Sequence, residues 1–580
     1  MQRADAHPAL VKRKEVSNMH NPIQAASQEL RELILAAVGR AVAESELPAE
    51  AIPDFTVEIP GDTSHGDFAT NIAMVSARAF KMAPRKIAEA VTGRMVLDGS
   101  SFDRFEIAGP GFINFFLKPQ WFASVVQTVN EEGDAYGRTN YGQGKRVLVE
   151  FVSANPTGPM HIGNARGGAI GDGLASVLSW AGYEAKREFY VNDAGNQIGK
   201  FGISLEARYL QIYDSSVEIP EDAYQGADII EHAKNFAGIH GDRYVNASSE
   251  ERRKALVEYA LPLNIQGLKD DLLKYRIEYD NWFLESTLHN NGQVDAVIRL
   301  LKEKGATYEH EGALWFKATD YGADQDFVLV RQNGIPTYVV PDIAYHYDKL
   351  VTRKFDVAIN VLGADHHGYV PRLKAALTAL GIDAGRLQVV LMQMVRLVRD
   401  GEVIKASKRS GKAITLVTLL DEVPIDAARF YFNLREANSH FDFDLDLAVE
   451  QSSQNPVYYV QYAYARICSI LKSLAADGIG ARTPSLEELA LLRAPEEIEL
   501  IRHLANLPSE IVEAAKNYDP ARMTRYSMEL ATKFHKFYNA CRVKCEEEPL
   551  MQARLALCTG VKTALHNVLT MLKITAPEAM

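Results

Sequence analysis

Two short loops carry most of the residues whose types could do chemistry. The first, SANPTGPMHIGN, follows the apolar run KRVLVEFV and sets His161 and Asn164 three positions apart where helical spacing begins. Pro156 and Pro159 keep such a loop extended, while Gly158 and Gly163 let a ligand approach the backbone. The first amides of a helix point outward with partial positive charge, so an anion is the natural ligand, and both side chains can donate hydrogen bonds to it. A nucleotide phosphate suits this arrangement. A lone histidine at a tight turn is more often a cap or a packing residue, so the loop by itself does not define a site. The second loop, GEVIKASKRSG, brings Lys405, Lys408 and Arg409 together among Ser and Gly, with Lys412 just beyond. A solvated basic turn is its ordinary explanation. Its position after the last strand pattern, however, lets it close over the same crevice. Lysines that clamp a polyphosphate stabilise charge developing on a leaving group more than they stabilise the ground state, which raises a rate.

These loops need a scaffold. KRVLVEFV has the near-continuous apolarity of a parallel strand covered on both faces. The helical stretch AIGDGLASVLSWAG and a second strand, KREFYVND, follow it. Strand, helix and strand in that order make a doubly wound unit, whose ligand crevice lies beyond the carboxyl ends of the strands. Residues from about Gly195 to Ala306 read as helical insertions at the sheet edge, and strand patterns return in DFVLVRQNGIPTYVV, DVAINVLG and LQVVLMQMV. Ahead of this region, the helical IQAASQELRELILAAVGRAVAE alternates with the strands DFTVEIP and GFINFFL, and NEEGDAYGRTNYGQGK reads as a linker. Beyond Pro424 only helical spacing is expected. The anticipated organisation is a polar extension over 1–21, of the composition of a disordered segment or an upstream start. An α/β domain over 22–130, a Rossmann-type parallel-sheet domain with helical insertions over 131–424, and an all-helical domain over 425–580 complete it.

Composition limits the function classes. The chain has 580 residues, 47% of them hydrophobic and 24% charged, and a net charge of −12, which argues against indiscriminate coating of nucleic acid but not against local basic surfaces. The four cysteines, Cys468, Cys541, Cys545 and Cys558, form no Cys-x-x-Cys pair, so no structural zinc is expected, and a reducing cytoplasm is the simplest setting. The spacing of Cys541 and Cys545 suits two thiols on one helix. No apolar run approaches the roughly 18 residues needed to span a bilayer, so no membrane partner is expected.

Together the two loops resemble the signatures of class I aminoacyl-tRNA synthetases, the His-Ile-Gly-His and Lys-Met-Ser-Lys-Ser motifs. Longer stretches resemble the bacterial type of arginyl-tRNA synthetase: EFVSANPTGPMHIGNARGGAIGD, YVNDAGNQI, YDNWFLES, GIPTYVVPDIAYH, GADHHGY, RDGEVIKASKRSGKAITL, DAARFYF and NPVYYVQYAYARI. They occur in family order from about residue 50 to the C-terminus. Two departures stand out. Asn164 replaces the second histidine of the first motif, and Ala406 and Arg409 replace the methionine and final serine of the second, while Lys405 and Lys408 remain.

The resemblance implies ATP-dependent attachment of L-arginine to tRNA(Arg), through an arginyl-adenylate and release of pyrophosphate. His161, Asn164, Lys405 and Lys408 are the implied catalytic residues, and Gly163, Gly363, Asp365 and Lys408 the implied ATP contacts. A guanidinium calls for carboxylates placed for bidentate hydrogen bonding. Glu150 and Asp342, expected at strand ends facing the crevice, take that role by resemblance, with Tyr338 lining the pocket and Ser153 and Asn155 near the amino acid's polar end. Read locally, Asp342 could equally be a helix N-cap before IAYHYDKL. His366 and His367 are adjacent and lack further nearby ligands, so no protein-bound metal is expected; Mg2+ should arrive with ATP, held by phosphates and water.

For RNA, the stretch Ala521–Cys545 interleaves Arg522, Arg525 and Lys533 with Tyr526, Phe534 and Phe537, and contains one acid, Glu529. Cations for phosphates with aromatics for stacking suit single-stranded loops, although a solvated face over an aromatic core reads equally well. By resemblance this helical domain, with Tyr459, binds the anticodon, the N-terminal unit contacts the tRNA elbow, and amino-acid activation requires tRNA. A monomer is expected, with no DNA partner. The alternative is a tRNA-binding paralogue with impaired catalysis, which Asn164 favours and the retained Lys405, Lys408, Glu150 and Asp342 oppose.

Overall fold

The computed structural model describes residues 21–221, 223–404 and 414–580. Residues 1–20 of the expected extension, and the stretch 405–413 that contains Lys405, Lys408, Arg409 and Lys412, lie outside the described residues.

The chain begins with the helix Pro22–Ala43, which Asn21 caps by accepting the Gln24 amide at 3.0 Å. Leu30, Ile34, Ala37, Val38 and Ala41 recur at helical spacing and are buried against a four-stranded antiparallel sheet. Its spatial order is Val57–Glu58, Phe68–Thr70, Phe112–Leu117 and Phe102–Ala108. The segment 130–145, whose composition suggested a linker, is packed instead. Tyr136 is fully buried and donates its hydroxyl to the Leu504 carbonyl at 2.7 Å, and Asn567 donates to the carbonyls of Gly133 and Tyr136, both at 3.0 Å. Polar backbone looks solvated in sequence when the groups that satisfy it come from hundreds of residues away.

A five-stranded parallel sheet forms the middle of the molecule. Its strands are β1 (Arg146–Glu150), β2 (Glu184–Val191), β3 (Asn281–Leu284), β4 (Val357–Gly363) and β5 (Leu387–Met392), in the spatial order β5-β4-β1-β2-β3. Successive side chains alternate between two cores: Phe189, Val191, Ile359 and Val361 face one, while Tyr190 and Ala358 face the other. Strand order reverses between β1 and β4, which opens a crevice beyond their carboxyl ends. Helix α1 (Ile162–Trp180) connects β1 to β2 and explains the glycines of its sequence. A β-carbon on Gly171 would lie 2.1 Å from Phe151 Cγ, and one on Gly168 would lie 2.8 Å from Ile277 Cδ1, so only glycine lets this helix sit so close to the strand end.

Three helices, α2 (Gly195–Tyr213), α3 (Ala227–His240) and α4 (Ser249–Lys274), form the expected insertion before edge strand β3, around their own core of Phe201, Tyr209, Phe236 and Leu256. An antiparallel excursion over Thr307–His310, Ala313–Phe316 and Phe327–Val330 precedes helix α5 (Val339–Tyr347). The strand reading of TYVVPD therefore fails: the β-branched pair Val339 and Val340 sits in the first turn of α5, where burial in the second core outweighs local strand preference. A further small sheet joins β6 (Val395–Arg399), its hairpin partner β7 (Glu402–Val403) and β8 (Phe441–Asp444), which pairs in parallel with β6. The alternating FDFD of β8 interrupts the region expected to be helical throughout; helix α6 (Ile425–Phe432) precedes it.

The long helices beyond β8 are α7 (Pro456–Ala476), α8 (Pro495–Lys516), α9 (Ala521–Ala540) and α10 (Glu548–Met571). Cys541 and Cys545 are not helical neighbours but follow the end of α9. A buried ionic cluster joins this bundle to the sheet. Arg429 of α6, which is 0% exposed, pairs with Asp172 of α1 and donates to the carbonyls of Leu572 at 2.8 Å and Tyr275 at 3.0 Å. Burial would lift the Asp172 carboxyl, but Arg429, Arg187 and Lys573 outweigh it and hold the pKa below the usual carboxylate value. Removing Arg429 leaves Asp172 with Arg187 and Lys573 but deprives it of its most buried partner and the Leu572 and Tyr275 carbonyls of their donor. Arg429→Met is therefore expected to destabilise the protein by about 3–5 kcal/mol, read as an earlier midpoint in urea denaturation; an unchanged midpoint would show that the cluster is not holding the two regions together.

Candidate active site

The loop after β1 starts with a strained turn. Val152 and Ser153 have φ of +69° and +41°, and for a β-branched residue such as Val152 that conformation is costly. The Ser153 hydroxyl holds the turn by donating to Glu150 Oε1 at 3.0 Å and accepting the Tyr190 amide at 3.1 Å. Further along, His161 is the N-cap of α1: its Nδ1 accepts the Gly163 amide at 3.1 Å, and Asn164 Oδ1 accepts the His161 amide at 3.0 Å. Because Nδ1 accepts, the neutral ring carries its proton on Nε2. Asn164 thus closes the first turn of the helix as well as facing the crevice.

The second loop meets the first at its base. His161 forms an isolated antiparallel bridge with Thr415, and the Leu416 amide donates to the Met160 carbonyl at 2.9 Å. The chain that leaves residues 405–413 is therefore hydrogen-bonded to the chain that carries His161.

One cavity of about 490 Å³ is lined by Glu150, Ser153, His161, Gly163, Asn164, Asp342, Gly363 and Asp365, together with Tyr190, His346, Asn360 and Tyr369. An adjoining cavity of about 750 Å³ shares Tyr190 and Asp342 and is lined by Asn192, Glu285, His289, Arg331 and Tyr338. Tyr338 is 72% exposed and opens only to this second cavity, and Asn155 is exposed and lines neither. Asp365 is exposed at the rim, and its carboxylate folds back over Gly363, where a β-carbon would lie 2.4 Å from Oδ1. Among the described residues no group of three or more His, Cys, Asp or Glu side chains is arranged to hold a metal ion.

Glu150 is the last residue of β1, as expected, and its carboxylate is ion-paired with Lys349 at 2.6 Å. Asp342 is not at a strand end but in the first turn of α5, and it is not the N-cap, since Tyr338 occupies that position. Its Oδ2 accepts the Tyr369 hydroxyl at 2.5 Å. Burial, reinforced by the charges of Glu150 and Glu285, pushes Asp342 up to about 7 against the opposing Tyr369 hydrogen bond and Lys349. Burial likewise raises Glu285 above the ordinary glutamate value. Burial and the Lys349 cation push His346 down to about 3, so its ring is neutral. Glu285 and Lys349 were not singled out from sequence. Both lie in stretches with suggestive neighbours, YDNWFLES and AYHYDKL, but no spacing rule brings them to Glu150.

In the helical bundle the candidate RNA contacts are engaged locally. Arg522 pairs with Glu510 and Arg525 with Asp519, both at 2.7 Å, and Lys533 pairs with Glu499 at 2.5 Å and Glu529 at 3.2 Å. The interleaved Tyr526, Phe534 and Phe537 are buried core rather than stacking surfaces. The single acid within that stretch gave an incomplete picture, because three of the partners lie outside it. Tyr459 donates to Thr532 Oγ1 at 3.3 Å, with its ring 5.2 Å from that of His535, while Tyr462 is exposed and stacked beside Tyr458.

Comparison with known proteins agrees with this geometry. Three family descriptions match successive parts of the chain: “Arginyl tRNA synthetase N terminal domain” over 28–117, “tRNA synthetases class I (R), catalytic domain” over 125–452 and “DALR anticodon binding domain” over 460–580. The arginine–tRNA ligase of Caldanaerobacter subterraneus subsp. tengcongensis is 56% identical over 562 residues, covering 97% of this chain and 100% of that protein. The arginine–tRNA ligase of Acetivibrio thermocellus is 52% identical over 564 residues, with the same coverage. The solved arginyl-tRNA synthetase of Thermus thermophilus shares the fold with a TM-score of 0.72 at 22% identity, covering 96% of this chain and 100% of that one.

The titration of Asp342 gives the site a pH signature. A guanidinium binds the ionised carboxylate, so arginine affinity should climb as pH rises from about 6 to 8. The raised pKa also means that this group's contribution to stability falls as pH rises from the unfolded carboxylate value towards about 7. Asp342→Asn is expected to abolish the affinity slope, weaken arginine binding by roughly 100-fold, and melt above the parent protein at pH 8. Calorimetric titration with arginine and thermal unfolding at both pH values check this; an intact slope in the variant would remove Asp342 from the site.

Proposed function

The chain belongs to the arginyl-tRNA synthetase family and carries its ATP-dependent ligase activity, and from that premise we propose how its own residues conduct the reaction. Asp342 and Glu150, with Glu285 at the far side of Asp342, receive the guanidinium of L-arginine, and Tyr338 covers its approach. Ser153 steadies Glu150, and Asn155 approaches the amino acid's polar end from outside the two cavities. His161 and Asn164, through their side-chain donors, receive the ATP phosphates at the start of α1, where Gly163 leaves room for them, and Gly363 and Asp365 receive the ribose.

An oxygen of the arginine carboxylate attacks the α-phosphorus of ATP. The bond to the β-phosphate oxygen breaks, giving arginyl-adenylate and pyrophosphate. Lys405 and Lys408 stabilise the negative charge that collects on the leaving pyrophosphate. The 2′-hydroxyl of the terminal adenosine of tRNA(Arg) then attacks the arginyl carbonyl, and AMP departs as the hydroxyl loses its proton. Both steps rest on positioning and charge stabilisation, so no side-chain nucleophile is required. Magnesium enters with ATP, held by phosphates and water. In the bundle, Arg522, Arg525, Lys533 and Tyr459 meet the anticodon arm. To do so the three cations exchange their present carboxylate partners for phosphates. The enzyme works as a monomer in the cytoplasm.

The observation that carries this reading is a cavity beyond the ends of β1 and β4 in which Glu150 and Asp342, carboxylates for a cationic side chain, share the lining with a helix N-terminus suited to phosphate. Asn164 does not argue for an impaired paralogue. It completes the α1 cap and retains a hydrogen-bond donor for the ligand.

Charging of total bacterial tRNA with arginine, against lysine, glutamine and citrulline as competitors, tests the reading together with ATP–pyrophosphate exchange run with and without tRNA. Arginylation alone, and exchange only when tRNA is present, is the expected result. Lys408→Ala should retain tRNA binding while adenylate formation falls by roughly 100-fold or more; undiminished exchange would remove Lys408 from the first step.

A further inference from the structure

Lys349 is 0% exposed, an unusual position for a lysine, and it lies behind the wall of the arginine pocket rather than in it. Its ammonium donates to Glu150 Oε2 at 2.6 Å and to Asn360 Oδ1 at 3.2 Å, and sits 3.9 Å from the centroid of the Tyr345 ring. The Asn360 amide meets His346 Nε2 at 2.8 Å, and His346 Nδ1 meets the Asp342 carbonyl at 2.8 Å. Only one assignment of protons satisfies every member. Lysine can only donate, so Asn360 Oδ1 must accept; Asn360 Nδ2 must then donate, His346 Nε2 must accept, and His346 Nδ1 carries the proton given to the Asp342 carbonyl. Burial keeps the His346 ring neutral, consistent with that assignment.

Lys349, which can only donate, and the Asp342 backbone carbonyl, which can only accept, thus fix the direction of a buried chain that links the two residues of the proposed pocket, Glu150 on β1 and Asp342 on α5. Lys349 also neutralises one of them. Without it, Glu150 would be a buried anion beside Asp342, and Asn360 Oδ1 would lose its buried donor. Glu150 in turn holds the Ser153 hydroxyl and through it the strained turn at Val152.

Resting on the assignment of Glu150 and Asp342 to the guanidinium, we propose that Lys349 is a positioning residue for arginine recognition, which fixes the two carboxylates relative to each other and leaves Asp342 as the one that the cationic substrate neutralises. The groups that face Asp342 are Glu150 from β1, Tyr190 from β2, Glu285 after β3, Tyr369 after β4, and Tyr338, His346 and Lys349 from the α5 region. Of these, Lys349 is the cation that opposes the anionic pair Glu150 and Glu285 at this carboxylate.

The test measures the KM for arginine, the KM for ATP and the pH profile of kcat/KM for arginine in tRNA charging. It compares the full-length parent, Lys349→Met, Glu150→Gln and the double variant. In Lys349→Met the arginine KM should rise about 30-fold or more while the ATP KM stays within about twofold, and the acid limb of the profile should move to higher pH because Asp342 has lost a stabilising cation. Glu150→Gln in the Lys349→Met background removes the stranded anion, so the limb should move back and the two effects should be strongly non-additive. The double variant also keeps the test open if the single one fails to fold. Equal losses for arginine and ATP, an unmoved limb, or simple additivity would overturn the proposal and leave Lys349 a packing residue. A parent enzyme that charges arginine without any acid limb would instead count against the Asp342 assignment on which the proposal rests.

Discussion

Several carboxylates gather around β1 and β2, Glu188 buried behind the crevice and Glu150 and Asp342 lining it, and the rest of the site is arranged around that electrostatic burden. A buried anion without a partner is costly, so each must be answered from within the protein or from outside it. Glu188 is answered by Arg353 at 2.5 and 2.8 Å and by the Tyr345 hydroxyl at 2.6 Å. Lys349 and Ser153 answer Glu150. Asp342 receives only a phenol hydroxyl and has no ion pair among the described residues, and its pKa rises to about 7 accordingly. The difference sorts scaffold from site. Glu188, matched by an internal cation, holds the framework in place, and Asp342, which has none among the described residues, is where the proposed guanidinium would gain most.

Helix α1 connects this pocket with the remainder of the molecule. Its first turn presents His161 and Asn164, its glycines bring it against Phe151, and its middle carries Asp172 into the cluster with Arg429 and Lys573 at the base of the helical bundle. Arg166, 0% exposed, donates from the same helix to the carbonyls of Gln393 at 2.7 Å, Glu436 at 3.1 Å and Ser439 at 3.0 Å, which flank the small sheet that precedes the second loop and closes at β8. Burial pushes that guanidinium down to about 10, so the loop carbonyls serve as its solvent. One helix thus forms the end of the crevice proposed for phosphate, borders the base of the second loop through Thr415, and meets the bundle proposed to receive the anticodon.

The sequence by itself determined the order of elements and the reaction class. Periodicity identified four of the five parallel strands, helix α1 and the insertion, because apolar spacing is imposed locally by which faces are buried, but the short edge strand β3 fell within the stretch read as helical. Glycine and proline placement marked the first loop, and the motifs gave the family. Tertiary structure alone decided which polar groups meet. TYVVPD became a helix start because the core beneath α5 outweighed strand preference. The apparent linker around Tyr136 became an interdomain contact, and the cations of α9 acquired partners from elsewhere in the bundle. Asp342 became a carboxylate with no ion pair among the described residues, and Lys349 the buried cation beside Glu150. Side-chain partners separated by about two hundred residues leave no periodic trace, since their distance depends on how sheets and helices pack and on which charges that packing deprives of water.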